Sequence, residues 1–238
     1  MGKVKQLIGI NLVIFMIFSC LRPERFLTGY NFESMCFQFP EAGILTLGIG
    51  ITMLTAGADL SIVAVANLTA TVNGMILLYM MPEGTAAGEA WPYLFFCLAV
   101  TVLIGLVCGM LNGFLVAHMG IFPILATLGT QNLFMGVSMV LTKGQGVFGV
   151  FPEQIMFIGN GKVLGIIPMP LVLFLAALAA VCIVIHHTVH GIRTQLFGSN
   201  RAASFYCGID NVKTVFKTYM ISSMLGALTG ILILAKTN

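Results

Sequence analysis

Apolar residues in this chain come in runs long enough to cross a bilayer, separated by short polar joints, and no other feature restricts the fold so strongly. A helix spans the hydrocarbon core with about 20 predominantly apolar residues, and about 17 to 25 is the usual range. Seven stretches are candidates: Gln6 to Leu21, Ala42 to Ala56, Leu60 to Met81, Trp91 to Ala117, Ile121 to Thr142, Leu164 to His187 and Phe216 to Ala235. Of the 238 residues, 58% are hydrophobic and only 8% charged, against roughly a quarter charged in an ordinary soluble domain. So few charges cannot cover a soluble core, and the solvent for most of the surface must be lipid. The expected fold is all-α, a polytopic transmembrane helical protein with about seven membrane segments in a single domain over residues 1–238.

The second segment is short for a full crossing, and only Gly57, Ala58 and Asp59 part it from the third. The pair therefore reads as two spans, or as one span with a broken or re-entrant helix, since irregular backbone at membrane depth is tolerated where protein or a cavity surrounds it. The opening MGKVKQLIGINLVIFMIFSCL has the basic head and apolar run of a secretory signal. It lacks the small-residue cleavage site such signals carry, so it reads as a retained first helix.

Lys and Arg collect in short cytoplasmic loops. Lys3 and Lys5 put the N-terminus inside, and alternation across seven segments puts the joint between His187 and Phe216 inside as well. That joint holds Arg193, Arg201 and Lys213 against Asp210, with Lys217 just beyond, so parity and charge agree. Residues 82–90, with Glu83 and Glu89, and residues 22–41, with two Arg against three Glu, fall outside; residues 143–163, with Lys143 and Lys162 against Glu153, are mildly discordant. A net charge of +3 gives no sign of nucleic-acid binding.

Gly105, Gly109 and Gly113 form two overlapping GxxxG units, and Gly226 and Gly230 repeat the spacing. Such stripes let helix backbones approach closely in lipid. Asp59 is the acidic residue within the predicted membrane region, where an Asp costs about 2.5 to 3.5 kcal/mol at a helix centre. It either lines a substrate route or caps the helix that starts near Leu60, accepting from the free N–H groups of its first turn. Asn67, Thr69, Thr71, Asn73, Asn112, Thr127, Thr130, Gln131 and Asn132 recur inside other spans. They serve either interhelical hydrogen bonding or a hydrophilic route for a neutral polar solute.

Other chemistry finds little support. The cysteines Cys20, Cys36, Cys97, Cys108, Cys182 and Cys207 show no CxxC pairing and read as unpaired thiols, most of them inside apolar runs. His186, His187 and His190 have no nearby acid or Cys to complete a metal site. Gly159, Asn160, Gly161 and Lys162 imitate a phosphate loop but end in Val163 where Ser or Thr should stand, so ATP hydrolysis by that route is excluded. No nucleophile, base and orienting acid stand out, and neither a metal nor a cofactor is expected.

Three stretches together resemble the inner-membrane permease subunit of bacterial ATP-binding-cassette importers for monosaccharides, the ribose, galactose and xylose type. TAGADLSIVAVANLTA (Thr55 to Ala70) is similar to that family's GGIDLS segment, with Ala56 and Ala58 in place of Gly and Ile. GLVCGMLNGFLVAHMGIFPILATLGT follows its pattern GxxxGxxNGxLVaxxxixPfixTLGT. HGIRTQLFGSNRAASFYCGI resembles a helix exit reading RTRFG followed by GGNxxAAxxxGI, keeping Gly198, Asn200, Ala202, Ala203, Gly208 and Ile209, with Arg201 where an acidic residue is usual.

The resemblance implies an inner-membrane importer subunit that uses alternating access and works with a separate ATPase, a periplasmic or extracellular sugar-binding protein and a second permease subunit. It also implies that residues 190–215 form the cytoplasmic coupling loop, with Gly198, Asn200, Arg201, Ala202 and Gly208 at the ATPase contact. Asp59, Asn67, Asn112, Thr127 and Asn132 are the expected path lining. Family members continue through further helices, so the chain reads as C-terminally truncated after Leu225 to Asn238. A secondary transporter, a permease for nucleosides or other small polar solutes, and an intramembrane enzyme are the rival readings.

Overall fold

The computed structural model describes residues 2–82, 87–147, 149 and 151–236. Glu83, one of the acids assigned to an external loop, lies outside the described residues. The helices are α1 (Gly2–Leu21), α2 (Pro23–Phe26), α3 (Gly29–Met53), α4 (Ile62–Met80), α5 (Trp91–Gly113), α6 (Pro123–Thr142), α7 (Glu153–Asn160), α8 (Met169–His187), α9 (Val189–Ser199), α10 (Arg201–Tyr206) and α11 (Asn211–Lys236), with a π turn at Phe114–His118 prolonging α5. Seven of these are long and apolar enough to cross a membrane: α1, α3, α4, α5 with its π turn, α6, α8 and α11. The all-α polytopic reading holds.

Several boundaries differ from the sequence reading, the last span for one starting at Asn211 rather than Phe216, and two of the shifts have a clear local cause. The second span starts at Gly29 rather than near Ala42, which makes α3 a full crossing of 25 residues. Thr28 begins it, accepting a hydrogen bond from the Asn31 amide at 3.2 Å, and the helix then runs through Pro40. A proline marks a helix end in water, whereas in a membrane bundle neighbouring elements accommodate the lost hydrogen bond. Most of the segment read as an external loop is therefore helix, and Glu33 and Glu41 lie on α3. The sixth span starts at Met169, because Leu164 and Gly165 turn with φ of 54° and 71° into a two-stranded hairpin, Lys162–Val163 with Ile167–Pro168.

The centre of the bundle is α11, which packs against α3, α4, α5, α7 and α9. Of its apolar window 67% is buried, against 0% for α1, which lies at the periphery. Glycines set these contacts. A Cβ at Gly105, Gly109 or Gly113 would meet Met224, Met220 or Phe216 of α11 at 2.7 to 3.1 Å, so α5 and α11 run antiparallel with their backbones nearly touching. Gly226 and Gly230 do the same for α4, facing the Ile62 and Ala66 carbonyls, so α4 and α11 run parallel. Lys236 pairs with Glu41, while Gly48 lies beside Ser222, so α3 is antiparallel to both.

These directions gather the α3–α4 joint, the α5–α6 joint and the α9–α10 segment at one end of the bundle, where Gly198 abuts Leu54 and Thr127 meets Ala58. The hairpin, α7 and two ion pairs, Lys162 with Glu33 and Lys236 with Glu41, lie at the other. Lys162, discordant by charge counting, is thus matched by an acid from α3.

The glycine stripe yields a directional expectation. Gly109→Ala places a methyl 2.7 Å from the Met220 Cα, and such overpacking against backbone costs roughly 1 to 3 kcal/mol. Gly136→Ala adds a methyl to open space on α6 and is expected to be neutral. Thermal unfolding of the two variants in detergent checks the difference.

Candidate functional site

The joint between α3 and α4 carries the densest polar structure in the described residues. The helix α3 ends on a Schellman-type turn, with the Ala56 amide bonding Met53 O at 3.0 Å and the Gly57 amide bonding Thr52 O at 3.2 Å. Ala56 therefore takes φ of 53°, where glycine is the usual occupant. The chain then runs non-helically through Gly57, Ala58, Asp59 and Leu60 before α4 begins.

Asp59 is 0% exposed. Its Oδ1 accepts from the Ser61 amide at 3.0 Å and the Ser61 hydroxyl at 2.7 Å, and its Oδ2 accepts from the Ser222 hydroxyl at 2.8 Å. Ser61 accepts in turn from the Asn112 side-chain amide at 2.7 Å, and Asn112 Oδ1 accepts from Thr130 at 2.6 Å. Each donor in this line points toward Asp59, the arrangement that an acceptor-only carboxylate requires. The line ties α4, α5, α6 and α11 together. Beside it Thr127 donates to Ala58 O at 3.1 Å, and the Asp59 amide donates to Thr52 at 3.1 Å.

The cap reading of Asp59 is met in part. Its carboxylate takes one backbone N–H, that of Ser61, but Ser61 is the residue that precedes the helix, and α4 starts at Ile62. Of the five residues expected on a path, Asp59, Asn112 and Thr127 come together and are fully buried. Asn67 and Asn132 are exposed on α4 and α6. Asn67 borders a groove of about 500 Å³ between these helices, with Thr71, Ser138, Thr142 and Gln145 among its polar lining. Elsewhere Asn73 donates to Thr101 at 2.7 Å, an interhelical bond of the plain kind. The sequence marked Ser61 only as suited to the helix break beside Asp59 and held no sign of Ser222, because small hydroxyls inside apolar runs give no signal as partners until a carboxylate is placed beside them.

The segment 190–215 is helical rather than a loop. Thr188 caps α9 through the Gly191 amide and Asn200 caps α10 through the Ala203 amide, so two short helices meet at Asn200. Gly198 lies on the Leu54 carbonyl, and Gly208, at φ of 75°, turns the chain toward α11. Arg201 stands over the Phe197 ring at 5.4 Å and is exposed, as is Ala202. Asp210 accepts from the Lys213 amide, which holds its carboxyl below the usual carboxylate range. His190 is half-buried with Nε2 3.4 Å from Thr218; burial, then Lys217 and Arg193, lower its pKa below the ordinary imidazole value. His186 and His187 point elsewhere and are exposed.

The family model described as the permease component of the branched-chain amino acid transport system matches residues 31–238. The chain belongs to this permease family. Among curated relatives, the D-allose transport system permease protein of Escherichia coli (strain K12) is 29% identical over 224 residues, covering 94% of this chain and 65% of that protein. The ribose import permease protein of Bacillus subtilis (strain 168) is 29% identical, covering 100% of this chain and 70% of the relative. The autoinducer 2 import system permease protein of Salmonella typhi is 27% identical, covering 81% and 56%. The chain thus spans between 56% and 70% of the length of these permeases. No solved structure matches it.

Two substitutions at the joint of this permease should act with opposite signs. Asp59→Ala strands the Ser61 and Ser222 donors in a buried site, at a cost of roughly 3 kcal/mol. Ala56→Gly relieves the left-handed alanine and stabilises by about 1 kcal/mol. Denaturant unfolding in detergent measures both.

Proposed function

We propose that this chain is the membrane-spanning subunit of an ATP-driven importer that carries a monosaccharide across the bacterial inner membrane. The observation that carries the reading is the match along 94% and 100% of the chain to permeases named for D-allose and ribose. The interior agrees in kind. Among the described residues, Asp59 is the one charged residue that is buried, and hydroxyls and amides make up the other buried polar side chains. Such an interior suits a neutral, hydroxyl-rich cargo better than an ion. The groove beside Asn67 supplies part of the path wall, and Asn132 lies one turn from Gly136 on its rim, while the buried Asp59, Asn112 and Thr127 lie together at the α3–α4 joint.

ATP hydrolysis belongs to a separate chain that docks on α9 and α10 through the segment holding Gly198, Asn200, Arg201, Ala202 and Gly208. A sugar-binding protein delivers cargo to the opposite end, and a second permease subunit completes the path. The end bearing α9 and α10 faces the cytoplasm together with the N-terminus. Its basic residues Arg193, Arg201 and Lys217 have no carboxylate partner among the described ion pairs, whereas Lys162 and Lys236 at the other end are neutralised by Glu33 and Glu41.

Vesicles holding the chain with its ATPase and binding protein should accumulate labelled ribose or allose only with ATP. Uptake driven by an ion gradient without the ATPase overturns the importer reading, and uptake of leucine instead reassigns the cargo. Orientation is tested separately on Cys207, which is exposed between α10 and α11. In a variant keeping Cys207 as its sole cysteine, an impermeant maleimide should label it only after the cells are opened. Labelling in intact spheroplasts reverses the topology.

A further inference from the structure

Three observations meet at the α3–α4 joint and concern how α9 bears on it. First, Gly198 lets the α9 backbone rest directly on the end of α3: a Cβ there would overlap Leu54 O and fall 3.0 Å from Leu54 C. Second, Phe197 is buried against Tyr219, and the Tyr219 hydroxyl in turn abuts Gly57, where a Cβ would fall 2.6 Å from it. The coupling segment thus bears on the joint twice, directly through the Gly198 backbone and indirectly through the Phe197 ring by way of Tyr219 on α11. Third, the far side of the joint is the Asp59 carboxylate, bonded to Ser222 on α11 and through Ser61 to Asn112 on α5 and Thr130 on α6.

The joint is also a non-helical stretch of the line, held by tertiary bonds from Thr127 to Ala58 O and from the Asp59 amide to Thr52. Residues 57–60 have no helical hydrogen bonds of their own, and Ala56 holds a left-handed conformation that an alanine leaves readily. Packed helices transmit a displacement as rigid units, while a short irregular segment between two such units can take up a second arrangement. A load placed on Leu54 and Gly57 is delivered to the carboxylate that bonds Ser61 and Ser222 and, through Ser61, the line to Asn112 and Thr130.

We infer that the α3–α4 joint is the receiver of the coupling segment, with Gly198 and Asp59 as positioning residues: α9 moves the joint, and the joint moves the Asp59 clasp that sets α4, α5, α6 and α11. The inference rests on the importer reading for its use, but its mechanical core is a property of this chain alone. Neither residue touches cargo in this scheme. Ser222 belongs to it as the hydroxyl that transfers the movement to α11.

The test has two arms on the same variants, Gly198→Ala, Ser222→Ala and the double variant. In the purified permease alone, the two substitutions should be non-additive, the double variant unfolding at the temperature of the worse single one, because both act on one line. Shifts that simply add place Gly198 and Ser222 on independent structures and overturn the inference. In vesicles with the ATPase and binding protein, Gly198→Ala should lower sugar delivered per ATP at least fivefold while the ATPase still co-purifies and turns over. Ser222→Ala, a small deletion that leaves α9 untouched, should lower the same ratio, and if Gly198→Ala does not fold, this variant decides. An unchanged ratio in Ser222→Ala overturns the inference. If the unsubstituted chain moves no sugar, the importer reading fails, and the unfolding arm still judges the mechanical link.

Discussion

A carboxylate buried among membrane helices must find every hydrogen bond inside the protein, because lipid offers none. Asp59 meets that demand with three donors, from Ser61 twice and from Ser222. Since Ser61 leads directly into α4 and Ser222 lies on α11, satisfying the charge fixes these two helices relative to one another. The joint, the start of α4, the depth of Asn112 and the register of Ser222 on α11 all follow from it. Removing the charge together with its donors would leave helices free to slide, whereas removing one partner leaves the others stranded, which is the costlier event.

The rest of the bundle is held by contact rather than charge. Lipid provides no hydrophobic drive between helices, so close packing must supply the association. Gly105, Gly109 and Gly113 of α5, together with Gly226 and Gly230 of α11, bring three backbones into direct approach. These glycines are also what allows the polar line to be short: helices separated by large side chains could not place Ser61, Asn112 and Thr130 within 2.6 to 2.7 Å of their partners. Packing and polarity are therefore two halves of one design at the same depth.

Most membrane segments were legible from the sequence, because span length and apolar content are linear properties. Asp59 was also legible as the residue to watch, since a charge inside an apolar run has to be compensated. The start of α3 was not, because Pro40 reads as a terminator unless the surrounding helices are known. Nor was the split among the path candidates: Asn67 and Asn132 look no different in sequence from Asn112, yet the first two face outward and the third is fully buried. The segment after His187 was expected as a loop, and its two helices depend on Thr188 and Asn200 acting as caps, roles that many Thr and Asn residues in loops never take up.

By itself, the sequence determined an all-helical chain with seven membrane segments, a basic segment beyond His187 and the motifs of a permease family. Those properties reside in composition and local order along the chain. Only the tertiary structure decided that α11 is the hub, that Asp59 is held by Ser61 and Ser222, and that Gly198 rests on Leu54. The contacts of Asp59 with Ser222 and of Gly198 with Leu54 are meetings of residues 163 and 144 positions apart, and which helix faces meet depends on packing at close range, which no single segment encodes.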